Sequence, residues 1–188
     1  MILEGIVTTT AEDGAVNVSP MGPRVEPEML RFTLRPFQTS QTFQNLRRSG
    51  RGVLHVTDDV EMIALAAVGQ LPNPKLTRLA SGGMMLADAC RWYDFRVESL
   101  DDTCQRTIIE CQVTETGRNR DFFGLNRAKH AVLEAAILAT RVHLIPAADV
   151  RQQMQRLKPL IEKTSGPAEE RAFDFLSRYI EQQLEQSA

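Results

Sequence analysis

The stretch RPFQTSQTFQNL, from Arg35 to Leu46, gathers three hydroxyls, Thr39, Ser40 and Thr42, behind an arginine and at the start of a helical pattern. A helix that begins there leaves its first backbone N–H groups without intrahelical acceptors, and its macrodipole places partial positive charge on them. Together with the hydroxyls and the Arg35 guanidinium, these donors could surround a terminal phosphate. A serine or threonine at a helix start also caps the helix with no ligand at all. On this stretch alone, both readings stand.

The remaining reactive side chains point to no catalytic acid or base. His55, His130 and His143 lie far apart with no ligand spacing such as HxxxH, so no metal site is expected. His130 falls inside an apolar helical pattern and is expected to be a hydrogen-bonded core or interface histidine. Three cysteines, Cys90, Cys104 and Cys111, are odd in number and lack CxxC pairs, which predicts buried, inert thiols in a reducing cytoplasm. Trp92 could stack on a flat ligand or fill a core position. Arg47, Arg48 and Arg51 end the early helix, where positive charge complements the dipole. The formal charge is -2, with no broad basic face or aromatic ladder, so nucleic-acid binding is not expected.

The elements that must position these residues fall into two halves. With 188 residues, 43% of them apolar, the chain can bury one substantial core. No run approaches the roughly 20 apolar residues of a membrane-spanning helix. MILEGIV lacks a basic n-region and meets Glu4 early, so it is expected to be a first strand and not a signal peptide. The turn signal EDGA and the strand VNVSP follow, with Val16 and Val18 on one face and Asn17 and Ser19 on the other. MLRFTLR alternates again, RGVLHVT adds another strand, and EMIALAAV is ambiguous between buried strand and helix. WYDFRVES and QRTIIECQVTE are long enough to be antiparallel partners. Many strands with one early helix predict a small closed or half-open barrel.

After Asp121 the period changes to about 3.6, as in a helix. The run NRAKHAVLEAAILATR is apolar nearly all round, so its helix must be buried, by neighbouring helices or by another subunit. Val150, Met154, Leu157 and Ile161 mark a second helix, and a third runs from SGPAEER through Phe173, Leu176, Ile180 and Leu184. The expected domains are a barrel core over residues 1–120 and a C-terminal helical appendage over 121–188, packed on the barrel.

NVSPMG, from Asn17 to Gly22, taken with the Arg35–Leu46 stretch, resembles the flavin mononucleotide (FMN)-binding split barrels, a group that includes the flavin reductases. Further pieces are TDD at Thr57 to Asp59, Trp92, and RAKHAVLEAAILATR from Arg127 to Arg141. Together they are similar to the domain of unknown function 447 family, whose split barrel carries a C-terminal helical region. The resemblance implies a mainly β fold with α elements, and FMN as cofactor. It places Asn17, Ser19, Pro20, Met21 and Gly22 on the ring and ribityl side, and Arg35, Thr39, Ser40, Thr42 and Asn45 on the phosphate side. It also implies a homodimer with flavin near the subunit interface, the dimer being further favoured by the apolar helix from Arg127. His55 stands where the family pattern carries asparagine.

The resulting expectation is an FMN-binding protein acting as a flavin-dependent oxidoreductase, with a reduced nicotinamide as possible electron donor and an unidentified acceptor. The alternative is a non-catalytic binding protein for flavin, a deazaflavin or a pterin-like ligand. A soluble, cytoplasmic protein is expected, with no nucleic-acid or membrane partner.

Overall fold

In the computed structural model, residues 1–186 are described. The elements run β1 (Gly5–Thr10), β2 (Val16–Met21), β3 (Arg24–Val25), β4 (Arg31–Leu34), α1 (Gln41–Ser49), β5 (Arg51–Val56), α2 (Val60–Ala67), β6 (Leu76–Arg78), β7 (Met84–Leu86), β8 (Arg91–Asp101), β9 (Ile108–Arg118), α3 (Arg127–Ala139), α4 (Ala147–Thr164) and α5 (Pro167–Gln186). They form two compact units, one from Met1–Thr57 with Asn73–Phe122, the other from Asp58–Pro72 with the chain from Phe123 on.

The first unit is built on one sheet of order β2-β1-β5-β8-β9-β4-β3, antiparallel throughout. Its ends are brought together by the residues ahead of β1: Ile2 bridges Arg24, Leu3 N–H donates to Pro23 O at 3.0 Å, and Val25 N–H donates to Met1 O at 2.9 Å. Register shifts in the β8–β9 pair, at Asp94/Phe95 and Val97/Ser99, supply bulges of the kind that let long strands bend. The apolar members of the period-2 pattern line the interior: Val7, Phe32, Leu34, Leu54, Phe95, Ile109 and Cys111. Phe43 and Leu46 of α1 join the same core, and Phe32 meets Phe95 edge-on with centroids 5.1 Å apart. Each fully buried Phe or Leu contributes about 1.5–3 kcal/mol, so this interior holds the sheet in its curled form.

The other face of β1, β5 and β8 is also covered. Ile6, Thr8, Val53, His55, Trp92 and Asp94 are all buried. The small β6–β7 sheet is tied to this face, with Thr8 Oγ1 donating to Met84 O and Leu86 N–H donating to His55 Nε2. Gly83 in its turn permits the close approach, because a Cβ there would stand 2.7 Å from Asp94 Oδ1 and 2.8 Å from Val53 Cγ2.

In the second unit the ambiguous EMIALAAV becomes helix α2, capped by Asp59, whose Oδ1 accepts from Met62 N–H at 2.9 Å. α2, α4 and α5 surround α3: Val60 and Ala64, Val150 and Met154, and Phe173, Leu176 and Ile180 share one core with Ala128, Ala131, Val132 and Ala135. The apolar circumference of α3 is therefore covered within the chain. His130 is exposed on α3 with Glu134 one turn further along the same side, which corrects the core reading of this residue and leaves its interface reading. Asp58 sits almost wholly buried, accepting from Phe123 N–H at 2.7 Å and pairing with Lys129 Nζ at 3.4 Å. Two pieces that carried the family resemblance, TDD and RAKHAV, are thus joined by one ion pair. Among the described residues, no helix is long and apolar enough to cross a membrane.

Candidate functional site

The connection from β4 to α1 is held rigidly before any ligand is considered. Gln38 Nε2 donates to Asp102 O at 2.6 Å and Cys104 O at 2.9 Å, Gln38 N–H donates to Gln105 O, and Thr107 Oγ1 donates to Pro36 O at 2.9 Å. Arg106 lies over the Phe37 ring, 4.8 Å from its centroid. Ser40 is the N-cap of α1: its Oγ accepts from Phe43 N–H at 3.2 Å and donates to Phe37 O at 2.7 Å. The capping reading of Ser40 is therefore realised, while helix geometry still leaves the Gln41 and Thr42 amides without an intrahelical acceptor. Thr39 is exposed beside them. Arg35, just after β4, is half-buried, and its Nε is buried with no hydrogen-bond partner. A buried donor left unsatisfied costs free energy, so the position favours an incoming acceptor.

Thr42 and Asn45 lie deeper than the sequence suggests, each 2% exposed. Asn17 Nδ2 donates to Thr42 Oγ1 at 3.0 Å, Asn45 Nδ2 donates to Thr9 Oγ1 at 3.0 Å, and Gln41 Nε2 donates to Asn45 Oδ1 at 2.8 Å. This network brings together two sequence segments 25 residues apart and docks α1 against β1 and β2. Thr9, which sequence reasoning missed, is its centre; its signal was only the alternation of β1, which places it opposite Asn17. Ser19, Pro20 and Met21 continue along β2 away from α1, half-buried, with Met21 opposite Gly5, and Gly22 follows exposed. Proline at this point is compatible with an edge strand. A cavity of about 580 Å³ opens beside Asn17 and Gln41, its other walls being Ala11, Glu12, Asp13, Ala15 and Val16. The two carboxylates there oppose an anion, so attraction must come from the α1 end and Arg35.

His55 is a structural member and not a base. Wholly buried, it donates from Nδ1 to Ile6 O at 3.1 Å and accepts at Nε2 from Leu86 N–H at 3.0 Å. Burial drives its pKa down to about 4, against a smaller upward pull from the Ile6 carbonyl. Trp92 is 8% exposed and fills the space above Gly117, where a Cβ would come within 2.4 Å of the indole. It takes the core reading. Cys90 and Cys111 are buried, and burial raises the Cys111 thiol pKa far out of the reactive range, first by desolvation and then through Glu110. Cys104 departs from expectation: the loop that carries it leaves it exposed. The arginines that end α1 and begin β5 serve the fold, Arg47 facing Asp102 at 3.8 Å, Arg48 donating to Thr10 O at 2.6 Å and Arg51 donating to Ser81 O.

A curled antiparallel sheet with one helix in its core, joined to a C-terminal helical region, is the flavin reductase-like split-barrel fold. The family described as protein of unknown function DUF447 matches residues 3–120 by its N-terminal domain and residues 126–178 by a second domain. The chain belongs to this family. It is similar in structure to an FMN-bound member of the same family from Methanosarcina mazei, with a TM-score of 0.81 and 24% identity over 95% of this chain and 94% of that one. The styrene monooxygenase flavin reductase from Pseudomonas putida S12 is similar at a TM-score of 0.53 and 16% identity, covering 62% of this chain and 80% of that chain. An FMN-binding protein from Thermus thermophilus, bound to 1-cyclohex-2-enone, gives 0.54 and 11% over 62% and 70%.

Proposed function

We propose that the split-barrel unit binds FMN, with the phosphate at the start of α1 and the ring and ribityl chain along the end of β2. The observation that carries this reading is the buried, unpartnered Nε of Arg35, six residues ahead of an α1 start whose first amides have no helical acceptor. Arg35, Thr39 and the Gln41 and Thr42 amides would hold the phosphate. Ser40 would act through its cap, and Thr42 and Asn45 through the network that fixes the helix against Asn17. Ser19, Pro20, Met21 and Gly22 would line the ring side. Bound flavin would supply the redox chemistry, taking electrons from a reduced nicotinamide and passing them to an acceptor.

The test is an absorbance spectrum of the purified protein together with an FMN titration; no flavin bands and no binding would refute the proposal. Anaerobic addition of reduced nicotinamide then separates an oxidoreductase, whose flavin bleaches, from a carrier, whose flavin does not. We infer a homodimer as well, resting now on Phe123 and Leu125, 92% and 96% exposed, and not on α3. Light scattering at micromolar concentration decides it: the mass of two chains supports the dimer and the mass of one chain overturns it.

A further inference from the structure

At the end of β5 away from α1, a cavity of about 400 Å³ is lined by Val56, Cys90, Arg91, Arg118, Arg120, Asp121 and Phe122. Three arginines and one aspartate are among its lining residues, in a chain whose formal charge is -2. Arg91 and Arg118 are direct cross-strand partners in the β8–β9 ladder. Like charges set opposite each other in this way are destabilising unless an anion lies between or beside them. Asp121 pairs with Arg118 at 2.7 Å, and its side chain is 83% exposed, so the pair is a weak surface one. Arg120 is committed to the rim, donating from Nε to Asp88 O at 2.9 Å and from Nη1 to Asp121 O at 3.2 Å. Val56, Cys90 and Phe122 supply an apolar floor and wall, and the volume falls within the range of small-molecule sites.

We propose that this cavity is a second ligand site, taking a small organic oxyanion whose head group lies on Arg91 and Arg118 and whose apolar body lies on Val56, Cys90 and Phe122. It stands on its own geometry and does not require the flavin reading. The two sites are neighbours nonetheless. Val56 pairs with Arg91, and Ile6 pairs with both Pro20 and His55, so Met21, Gly5, Val56 and Arg91 share one row across the sheet. With strands about 4.8 Å apart, Arg91 is about 14 Å from Met21, the proposed ring side.

The experiment is calorimetric titration of the full chain with benzoate and with phenyl phosphate, which separate a carboxylate ligand from a phosphate one, in the presence and absence of saturating FMN. The expected result is binding of at least one probe, weakened about tenfold by Arg91→Gln and by Arg118→Gln, as loss of one charge-assisted contact requires. Asp121→Asn removes the competing carboxylate and is expected to tighten binding severalfold, a change that a merely misfolded variant would not produce. Arg47→Gln, at the α1 end, is expected to leave it unchanged. Absence of heat with both probes at millimolar concentration overturns the proposal, as does binding insensitive to both arginine substitutions. Mutual exclusion of probe and FMN also overturns it, by making the cavity part of the flavin site. Probe binding to a chain that binds no FMN supports this site and refutes the flavin reading alone.

Discussion

Protonation of His55 is expected to unlatch the β6–β7 sheet from the barrel. Its ring is wholly buried, and both nitrogens are used, Nδ1 as donor to Ile6 O and Nε2 as acceptor from Leu86 N–H. A second proton on Nε2 would set two donors against each other and bury a charge with no partner. The pKa of about 4 in the folded chain lies below the ordinary histidine value of 6.5. Between those values the unfolded chain binds more protons than the folded one, so stability is full above pH 6.5 and falls as the pH drops toward 4. At 1.36 kcal/mol per unit, the complete loss is about 3 kcal/mol, of which about 2 kcal/mol has gone by pH 5. With a urea m-value of about 2 kcal/mol/M, the midpoint should fall by about 1 M between pH 7.5 and pH 5. The assay is urea unfolding of the wild type and of His55→Asn at both pH values. Asparagine keeps a donor near Ile6 O but cannot reach Leu86 N–H, so the variant should be weaker by about 1–3 kcal/mol at pH 7.5. It should lack the share of the acid loss that belongs to His55. Equal pH dependence in the two proteins would refute the reasoning, whatever their absolute stabilities.

Arg35→Ala is expected to weaken FMN about ten- to a hundredfold while sparing riboflavin, since a charge-assisted phosphate contact is worth about 1.5–3 kcal/mol; equal losses in paired titrations would make Arg35 a residue of the fold. Ser40→Ala should cost about 1 kcal/mol of stability through the lost cap, measured by denaturant unfolding without ligand. Asp58→Asn removes the carboxylate charge that faces Lys129, whose side chain is 15% exposed, and should destabilise by about 3 kcal/mol in thermal or urea unfolding; a change under about 0.5 kcal/mol would show that the pair is solvated like a surface one. Gly117→Ala drives a methyl into Trp92 and should shift the emission of the single tryptophan and lower the melting temperature, and unchanged emission would contradict the packing.

Local pattern was enough for much of the barrel. Alternation in VNVSP and RFTL, the EDGA turn and the hydroxyls ahead of a helical period are all properties of residues near one another in sequence, and each marks a real element. The ordered motifs were also enough to place the chain in its family. Ser40 shows the limit of such reasoning, because a cap and an anion site share one local signature, and what the structure shows at Ser40 is the cap hydrogen bond. Asn17 with Thr42, Asp58 with Lys129, and Arg91 with Arg118 are pairings across 25 to 71 residues that no spacing rule encodes. EMIALAAV could be read either way because an eight-residue apolar run fits a buried strand or a buried helix, and packing with α3 and α5 settles it as α2. The core reading of His130 fails because an alanine-rich helix looks apolar all round, whereas a real helix bundle still leaves one strip facing water. The sequence thus determined the periodicities, the turns and the family. Barrel closure by Met1–Leu3, the latch through His55, the cover over α3 and the clustering of three arginines were decided by tertiary structure, since each depends on which distant surfaces gain most by leaving water together.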